Sequence, residues 1–451
     1  MGEIKERGVA RTLEGVRVWL RALGCRSSLC EGEFLAGEIG TRGGVLCDDL
    51  STAQAAVILT CSVTAEADRK CRQLVRRARR AVGDNGVIVV CGCWAQGVDA
   101  ESARDLGVDI LIGNRGKALL PDALGEMLKT GRSFRDLRAV FSGNWAWEEL
   151  PLFAPTLHTR AFVKIQDGCD HFCAYCVIPF LRGRPVSRPL GNVLAEVRRL
   201  VGNGCREVVL TGIHLGMYGR DMGGSLAELV RAVSNVAGLE RLRLGSLEPF
   251  SLDGALLRAL AESPVFCPHL HLPLQSGDDG VLALMRRGYT AEGFAHVCET
   301  ARKVLGEDLH LSSDILVGFP GESEAAFHNT LSLMRRVGMG RTHIFPFSLR
   351  RGTVAERLPS RVPAPVRDSR VAEASVLGAE LLNRYAERFV GLELNVLAEG
   401  EKGGQGFGHT PHFLEAIWDA EEDNLILAPN TLVRVRVTSA EGGILRGRLE
   451  K

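Results

Sequence analysis

Six short apolar runs recur between residues 161 and 347, at 161–166, 207–210, 242–246, 269–274, 311–317 and 342–347, with helix-period segments such as 190–202, 252–263 and 322–337 between them. Strands that alternate with helices are joined by crossovers, which makes their sheet parallel and brings the strands' carboxyl ends to one edge. In open α/β sheets and barrels, chemistry collects on the loops that leave those ends. The first loop here carries Gly168-Cys169-Asp170-His171-Phe172-Cys173-Ala174-Tyr175-Cys176 and the second Thr211-Gly212-Ile213-His214. Glu248-Pro249, Gln275-Ser276-Gly277, Gly318-Phe319-Pro320-Gly321-Glu322 and Ser348 follow the remaining four. Every end is polar or glycine-rich.

Three thiols on one loop can wrap a soft metal centre and leave one coordination position free of protein. Structural zinc closes with four ligands, and ferredoxin runs use cysteine pairs two residues apart with a fourth nearby. A spacing of three then two with no fourth thiol fits neither, although His171 offers a fourth ligand for a zinc alternative. The pattern is that of a 4Fe-4S cluster with an open iron. With Tyr175 before the last cysteine, it resembles the radical S-adenosylmethionine (radical SAM) enzymes. That resemblance implies a partial (β/α)6 barrel and a cluster on Cys169, Cys173 and Cys176 whose open iron chelates S-adenosylmethionine. It also implies cofactor contacts at Tyr175 and at the Thr211-Gly212 turn. Gln275, Ser276 and Asp314 stand where adenosyl or substrate contacts would fall, and Asp314 and Gln275 rank above His214, His269 and His271, which serve equally well as core residues.

Toward the N-terminus the runs 16–20, 56–60 and 87–90 are each followed by a cysteine, Cys25, Cys61 and Cys93, with helix-like segments at 31–40, 65–82 and 100–106. A parallel sheet brings these distant thiols to one edge as a second three-cysteine site. Cys91 shares a strand face with Cys93 and is a rival ligand. Cys30, Cys47, Cys71, Cys205, Cys267 and Cys298 read as structural thiols. Leu23-Gly24-Cys25, Thr60-Cys61-Ser62-Val63-Thr64 and Gly92-Cys93-Trp94-Ala95-Gln96 resemble the N-terminal domain of methylthiotransferases, in which a second cluster serves sulfur insertion. Glu31 and Glu33 fit that pattern, while Ser28 stands where the family usually has Asn. The segment 65–82 carries Arg69, Lys70, Arg72, Arg76, Arg77, Arg79 and Arg80, either a solvated helix face or a phosphate-binding one.

Thirteen cysteines, an odd number, in 451 residues argue against a disulfide framework and for reduced thiols. With 45% hydrophobic and 24% charged residues the chain reads as globular, with two or three domains. No apolar run is long enough to span a bilayer, and the charged stretch 1–11 has no apolar signal core, so a cytoplasmic location is expected.

Residues 113–160 read as a connection. Past residue 351 the chain turns Pro- and Arg-rich, continues as a helix over 371–388, and then has strand-like runs at 392–398, 413–418, 425–427, 432–438 and 444–449, a pattern that favours a small barrel. Val433, Val435 and Val437 should face inward and Arg434 and Arg436 outward. The module resembles the TRAM domain, an RNA-binding barrel, with Gly406-Phe407-Gly408-His409-Thr410 approximating its glycine and aromatic word. The alternative is a barrel that only packs on the core.

The expected organisation is an N-terminal domain over 14–125, a radical SAM core over 155–385 and a TRAM-like domain over 388–451. By its order and words the chain resembles the radical SAM methylthiotransferases, and among them the branch acting on N6-threonylcarbamoyladenosine. Thr211 to Gly216, Tyr218-Gly219, Cys61 to Ala65 and the Arg-rich helix carry that finer likeness. It implies methylthiolation of carbon 2 of that base at tRNA position 37, where no leaving group exists and the C–H bond resists acid–base chemistry. Two 4Fe-4S clusters, S-adenosylmethionine, the tRNA anticodon stem-loop, a reductase or a flavodoxin- or ferredoxin-type electron donor, and a sulfur donor are implied with it. Rival readings are isopentenyladenosine in tRNA, a ribosomal-protein aspartate, or a non-catalytic zinc-containing RNA-binding protein.

Overall fold

The computed structural model describes residues 11–139, 146–152, 159–419 and 428–450. It divides into two compact units, one of Met1–Leu157, Asp167–His171 and Cys176–Val186, the other of His158–Gln166, Phe172–Tyr175 and Ser187–Lys451.

The first unit is built on six parallel strands in the order β2-β1-β3-β4-β5-β6. These are β1 (Arg17–Ala22), β2 (Val45–Leu46), β3 (Ala55–Thr60), β4 (Val87–Gly92), β5 (Ile110–Ile112) and β6 (Arg135–Asp136). Every residue of β3 and β4 is buried, as expected for central parallel strands covered on both faces. Val57, Leu59, Val89 and Cys91 pack with Phe34, Leu35 and Ile39 of α1 (Arg26–Thr41). On the other face Ile58 and Val90 meet Cys71, Val75 and Ala78 of α2 (Ala65–Val82). The short helices α3 (Cys93–Gly97) and α4 (Ala100–Asp105) follow β4.

The stretch 113–160 is not a plain connection. It contributes α5 (Leu120–Thr130), whose Leu120, Ala123, Leu124 and Met127 join the core at helical spacing, and β6, which pairs with β5. Pro121 and a two-residue edge strand concealed both in the sequence. The sheet therefore extends past residue 125. From the cysteine segment this unit also holds α6 (Ile178–Arg182), and the two-residue strands β8 (Gln166–Asp167) and β9 (Val186–Ser187) bracket that segment in the sequence.

All six expected strands of the second unit are present. β7 (Ala161–Lys164), β10 (Glu207–Thr211) and β11 (Arg241–Leu244) form one parallel sheet, and β12 (His269–His271), β13 (His310–Val317) and β14 (Arg341–Pro346) form another. Parallel bridges Leu242↔Phe266 and Ser246↔His271 join β11 to the β12 side, giving an open, partial barrel. Helices α7 (Leu190–Gly202), α8 (Leu226–Ser234), α9 (Gly254–Ala261), α10 (Asp279–Met285), α11 (Ala291–Leu305) and α12 (Glu324–Val337) fill the crossovers.

Helix α13 (Ala364–Glu387) begins seven residues before the expected start at 371. Pro365 lies in its first turn, where the missing N–H has no partner to lose. Beyond it β15 (Glu393–Lys402), β16 (Gln405–His409), β17 (Glu415–Asp419), β18 (Leu432–Glu441) and β19 (Ile444–Leu449) close a barrel in the order β15-β16-β17-β19-β18. Val435 and Val437 point in, Val433 is half-buried, and Arg434 and Arg436 point out. The fifth strand is β16, read from sequence only as a glycine and aromatic word. A Cβ at Gly406 would lie 2.3 Å from the Trp418 ring, and one at Gly408 would lie 2.1 Å from the Leu397 carbonyl, so glycine is required inside this strand. The expected strand 425–427 lies outside the described residues.

This barrel docks on the partial barrel through charge. Arg241 donates to the carbonyls of His409 (2.8 Å) and Asn395 (2.7 Å), and Arg243 to those of Thr410 and Pro411 (2.7 Å each). Phe413 lies under the guanidiniums of Arg160, Arg243 and Arg341. The word 406–410 is thus spent partly on packing. No described helix is long and apolar enough to cross a membrane.

Candidate functional site

Strands β1, β3 and β4 are consecutive neighbours, so the chain leaves all three at one edge. Cys61 follows Thr60 directly, Cys93 follows Gly92, and Cys25 stands three residues past β1. Two glycines make the approach possible. Gly24 has φ +113° and an added Cβ would lie 2.6 Å from the Cys61 Cβ; Gly92 has φ +98° and its Cβ would lie 2.6 Å from the Thr60 carbonyl. Cys25 occupies the N-cap of α1 and Cys93 the first position of α3. Ser28 Oγ lies 3.7 Å from Cys25 Sγ, so the serine still contacts the thiol. The three thiols come within electrostatic reach of one another. Burial pushes Cys61 up to about 11; Cys25 and Cys93 add to the rise, and Arg182 opposes it.

Cys91 is separated from this group. The positive φ at Gly92 ends the strand alternation, leaving Cys91 in the apolar core, where burial raises its thiol to about 12, while Cys93 starts a helix. Cys71, read as a core thiol, approaches more closely: its Sγ donates to the Cys61 carbonyl at 3.4 Å.

The Cys169 loop is held from its own backbone. Gly168, at φ +76°, leaves no room for a side chain, since a Cβ would lie 2.1 Å from the Arg184 carbonyl. The N–H groups of His171 and Ile178 approach the sulfurs of Cys169 and Cys176 at 3.5 Å each. In the second unit, Ala174 N–H donates to the Met285 carbonyl and Ala174 C=O accepts from Ala355. The almost fully buried Arg287 donates from Nη1 to Cys173 Sγ at 3.2 Å and from Nε to Tyr289 Oη at 3.0 Å, and it pairs with Glu248. Burial raises the Cys173 thiol and Arg287 pulls it back down. Tyr175 packs edge-on against Phe319 of the fifth loop, with centroids 6.3 Å apart.

Thr211 ends β10, buried, and Gly212 follows. An added Cβ at Gly212 would lie 3.0 Å from Gln166 Cβ and Oε1. Gln166, fully buried, accepts from Ile213 N–H (3.0 Å) and His214 N–H (2.7 Å), so it sets the shape of this turn. Gln275 has φ +67°, a strained value for a non-glycine residue, and is clamped by backbone bonds to Asp314 and Leu316. Ser276 is enclosed beside Thr330 of α12, with its Oγ 3.4 Å from Thr330 Oγ1. Asp314, partly exposed, lies 3.4 Å from His271 Nε2, and with His343 the three ligand atoms fall within 4.8 Å. His269 and His271 share the Ser312 hydroxyl, and His214 is buried against Phe250. Gln166, Arg182 and Arg287 carry no signal in the sequence, because a single buried Arg or Gln has no spacing signature, and the exposed His343 joins His271 and Asp314 only through the sheet.

Residues 163–334 match the family described as Radical SAM superfamily, and residues 17–113 match the one described as Uncharacterized protein family UPF0004. The threonylcarbamoyladenosine tRNA methylthiotransferase MtaB of Bacillus subtilis is 34% identical over 430 residues, 94% of this chain and 94% of the relative. The chain belongs to the radical SAM methylthiotransferases. MtaB of Thermotoga maritima is 34% identical over 385 residues, covering 85% and 86% of the two chains. A tRNA-2-methylthio-N(6)-dimethylallyladenosine synthase of Cereibacter sphaeroides is 34% identical over 439 residues, covering 96% and 98%. Overall identity therefore does not separate the two substrate branches of the methylthiotransferases. Among solved structures, the radical S-adenosylmethionine methyltransferase TsrM of Kitasatospora setae, with cobalamin and a 4Fe-4S cluster bound, gives a TM-score of 0.56 at 13% identity, covering 87% of this chain and 77% of that one. At that identity the likeness shows the fold.

The donor sets of this methylthiotransferase fit iron–sulfur clusters. Each three-cysteine group includes a thiol bonded by a buried arginine, Cys93 by Arg182 and Cys173 by Arg287. Arg182 Nη2 is buried with no partner among the described residues, a donor left over beside the thiols.

Proposed function

We propose that this methylthiotransferase modifies carbon 2 of N6-threonylcarbamoyladenosine at position 37 of tRNA, giving the 2-methylthio derivative. What supports the reading most is the gathering of Cys25, Cys61 and Cys93 at one sheet edge in a chain that also carries the Cys169, Cys173, Cys176 loop. A single-cluster enzyme has no use for the first set. The resemblance to two MtaB proteins supplies the base.

In this reading Cys169, Cys173 and Cys176 hold one 4Fe-4S cluster and Cys25, Cys61 and Cys93 a second. Tyr175, Thr211, Gly212, Gln275, Ser276 and Asp314 orient S-adenosylmethionine and the base. When bound, the clusters and S-adenosylmethionine supply the one-electron chemistry and the sulfur that an unactivated C–H bond requires. Gln166 holds the Thr211–His214 turn in the shape that presents backbone groups to the cofactor. Exposed arginines on α2 and on β18 and β19 meet tRNA phosphates, which draw cations without regard to sequence. A flavodoxin- or ferredoxin-type donor and a sulfur donor complete the cycle.

The equally similar dimethylallyladenosine synthase favours a second reading on the isopentenyl base. Both are tested by expressing the chain in a bacterium lacking its own methylthiotransferases and analysing tRNA nucleosides by mass spectrometry. The 2-methylthio form of threonylcarbamoyladenosine is expected. The isopentenyl product alone would move the chain to the second branch, and unmodified tRNA beside intact clusters would point away from tRNA.

A further inference from the structure

Arg182 ends α6, six residues past Cys176, and its side chain is fully buried. It nonetheless serves the other cysteine site. Nε donates to Cys93 Sγ at 3.3 Å, and Nη1 reaches Glu31 Oε1 at 3.2 Å and Asp167 Oδ1 at 2.9 Å. Lys117, also fully buried, pairs with Glu31 Oε2 at 3.2 Å and donates to the Asn114 carbonyl at 2.6 Å. Asn114 Oδ1 lies 3.6 Å from Cys93 Sγ, and its Nδ2 donates to the Leu181 carbonyl, holding α6 against the thiol.

Two carboxylates and two cations are therefore sealed around one cysteine. Burying four charges opposes folding, and apolar residues of similar volume often pack as well or better. Stability alone does not account for the arrangement. Thiolates at Cys25, Cys61 and Cys93 would add negative charge beside these groups, which the cation bonded to the Cys93 sulfur is placed to offset. That cation is Arg182, with one donor, Nη2, still unspent.

We propose that Arg182 is the positioning residue of the Cys25, Cys61, Cys93 cluster. It fixes the Cys93 sulfur, sets a full positive charge against the cluster and so raises its reduction potential, and through Asp167 it ties this site to the base of the Cys169 loop. Adding an electron makes a thiolate-bound cluster more negative, and a buried guanidinium bonded to a ligand sulfur stabilises that reduced state; hydrogen bonds to sulfur and local charge are the usual protein controls on such potentials. The inference rests on the reading that these three cysteines hold a cluster.

The test uses the full chain with Cys169, Cys173 and Cys176 changed to Ala, which leaves one cluster, reconstituted anaerobically and titrated with dithionite under electron paramagnetic resonance. Arg182→Gln should lower the reduced-to-oxidised ratio at fixed potential at least tenfold, about 59 mV for one electron, with about four irons per chain retained. Arg182→Lys should fall between it and the parent, and Glu31→Gln, which removes a buried negative charge, should shift the potential the opposite way. An unchanged potential in Arg182→Gln with iron intact overturns the proposal. If Arg182→Gln holds no iron, Arg182→Lys decides: a lowered potential upholds the role and an unchanged one overturns it. A parent that takes up no iron overturns the cluster assignment itself, an outcome distinct from any change between parent and variant.

Discussion

At the scale of single residues, the second thiol group depends on backbone that only glycine adopts. Gly24 combines φ +113° with a Cβ position 2.6 Å from Cys61 Cβ. Gly24→Ala should displace Cys61, reduce iron from about eight to about four per chain, and lower stability by about 1–3 kcal/mol, read by iron analysis and urea unfolding. Gln166 is a comparable case in the second unit. Gln166→Leu takes the acceptor from one buried and one part-buried N–H group and should destabilise the chain by about 2 kcal/mol; a weaker affinity for S-adenosylmethionine, measured by equilibrium dialysis, would accompany it. Cys169, Cys173 and Cys176 were legible as candidates because the spacing of thiols on one loop is a local pattern. Gln166 and Arg287 were not, because a buried hydrogen bond can join residues at any separation, as Arg287 reaches Cys173 across 114 positions.

At the scale of elements, α2 shows how structure sorts residues that composition lumps together. Thr64 caps the helix by accepting from Ala67, and Gly83 ends it. Its seven cations divide by partner. Arg79 turns inward to the carbonyls of Gly83, Gly86 and Gly107 and pairs with Asp109, while Arg69 is engaged by Glu66. Arg72, Arg76 and Arg80 recur every four residues along one side, and none has a partner among the described residues. Reversing these three to Glu should weaken tRNA binding, with the slope of log affinity against log salt falling by roughly one per lost phosphate contact. Arg79→Ala should leave that slope alone and lower stability by about 1–3 kcal/mol. Filter binding across a salt series, with unfolding curves, separates the two classes. β16 was missed for a reason of the same kind: Gly406 and Gly408 look like loop residues until the neighbours that forbid a side chain are seen.

At the scale of the whole molecule, the contact between the partial barrel and the C-terminal barrel is set by buried ionisable groups. Burial holds His310 down to about 3 and His412 to about 4, from 6.5, and His310 bonds the His412 carbonyl while stacked on Tyr385. Both stay neutral when folded, so their stabilisation is complete above the unfolded value near 6.5 and is lost as pH falls toward 4 and then 3. Burial alone would raise Glu207; Arg243, Arg160 and Arg241 outweigh it and hold the carboxyl at about 2, a contribution lost only below about pH 4.3. Urea midpoints should thus be flat between about pH 7 and 8 and decline below 6.5, and His310→Asn should remove roughly half the slope between 6.5 and 4. By itself the sequence determined the alternation of strands and helices, the parallel sheets, the six cluster cysteines as candidates and the closing of a small barrel, because period, glycine and metal spacing are local properties of a chain. Tertiary structure alone decided that Cys91 stands apart while Cys71 approaches Cys61, that 120–130 packs on the first sheet and 135–136 extends it, and that Arg182, Glu31, Asp167 and Lys117 meet around Cys93. Those outcomes depend on which residues share a desolvated space, and the energy of a buried charge is set by neighbours that the chain brings in from a distance.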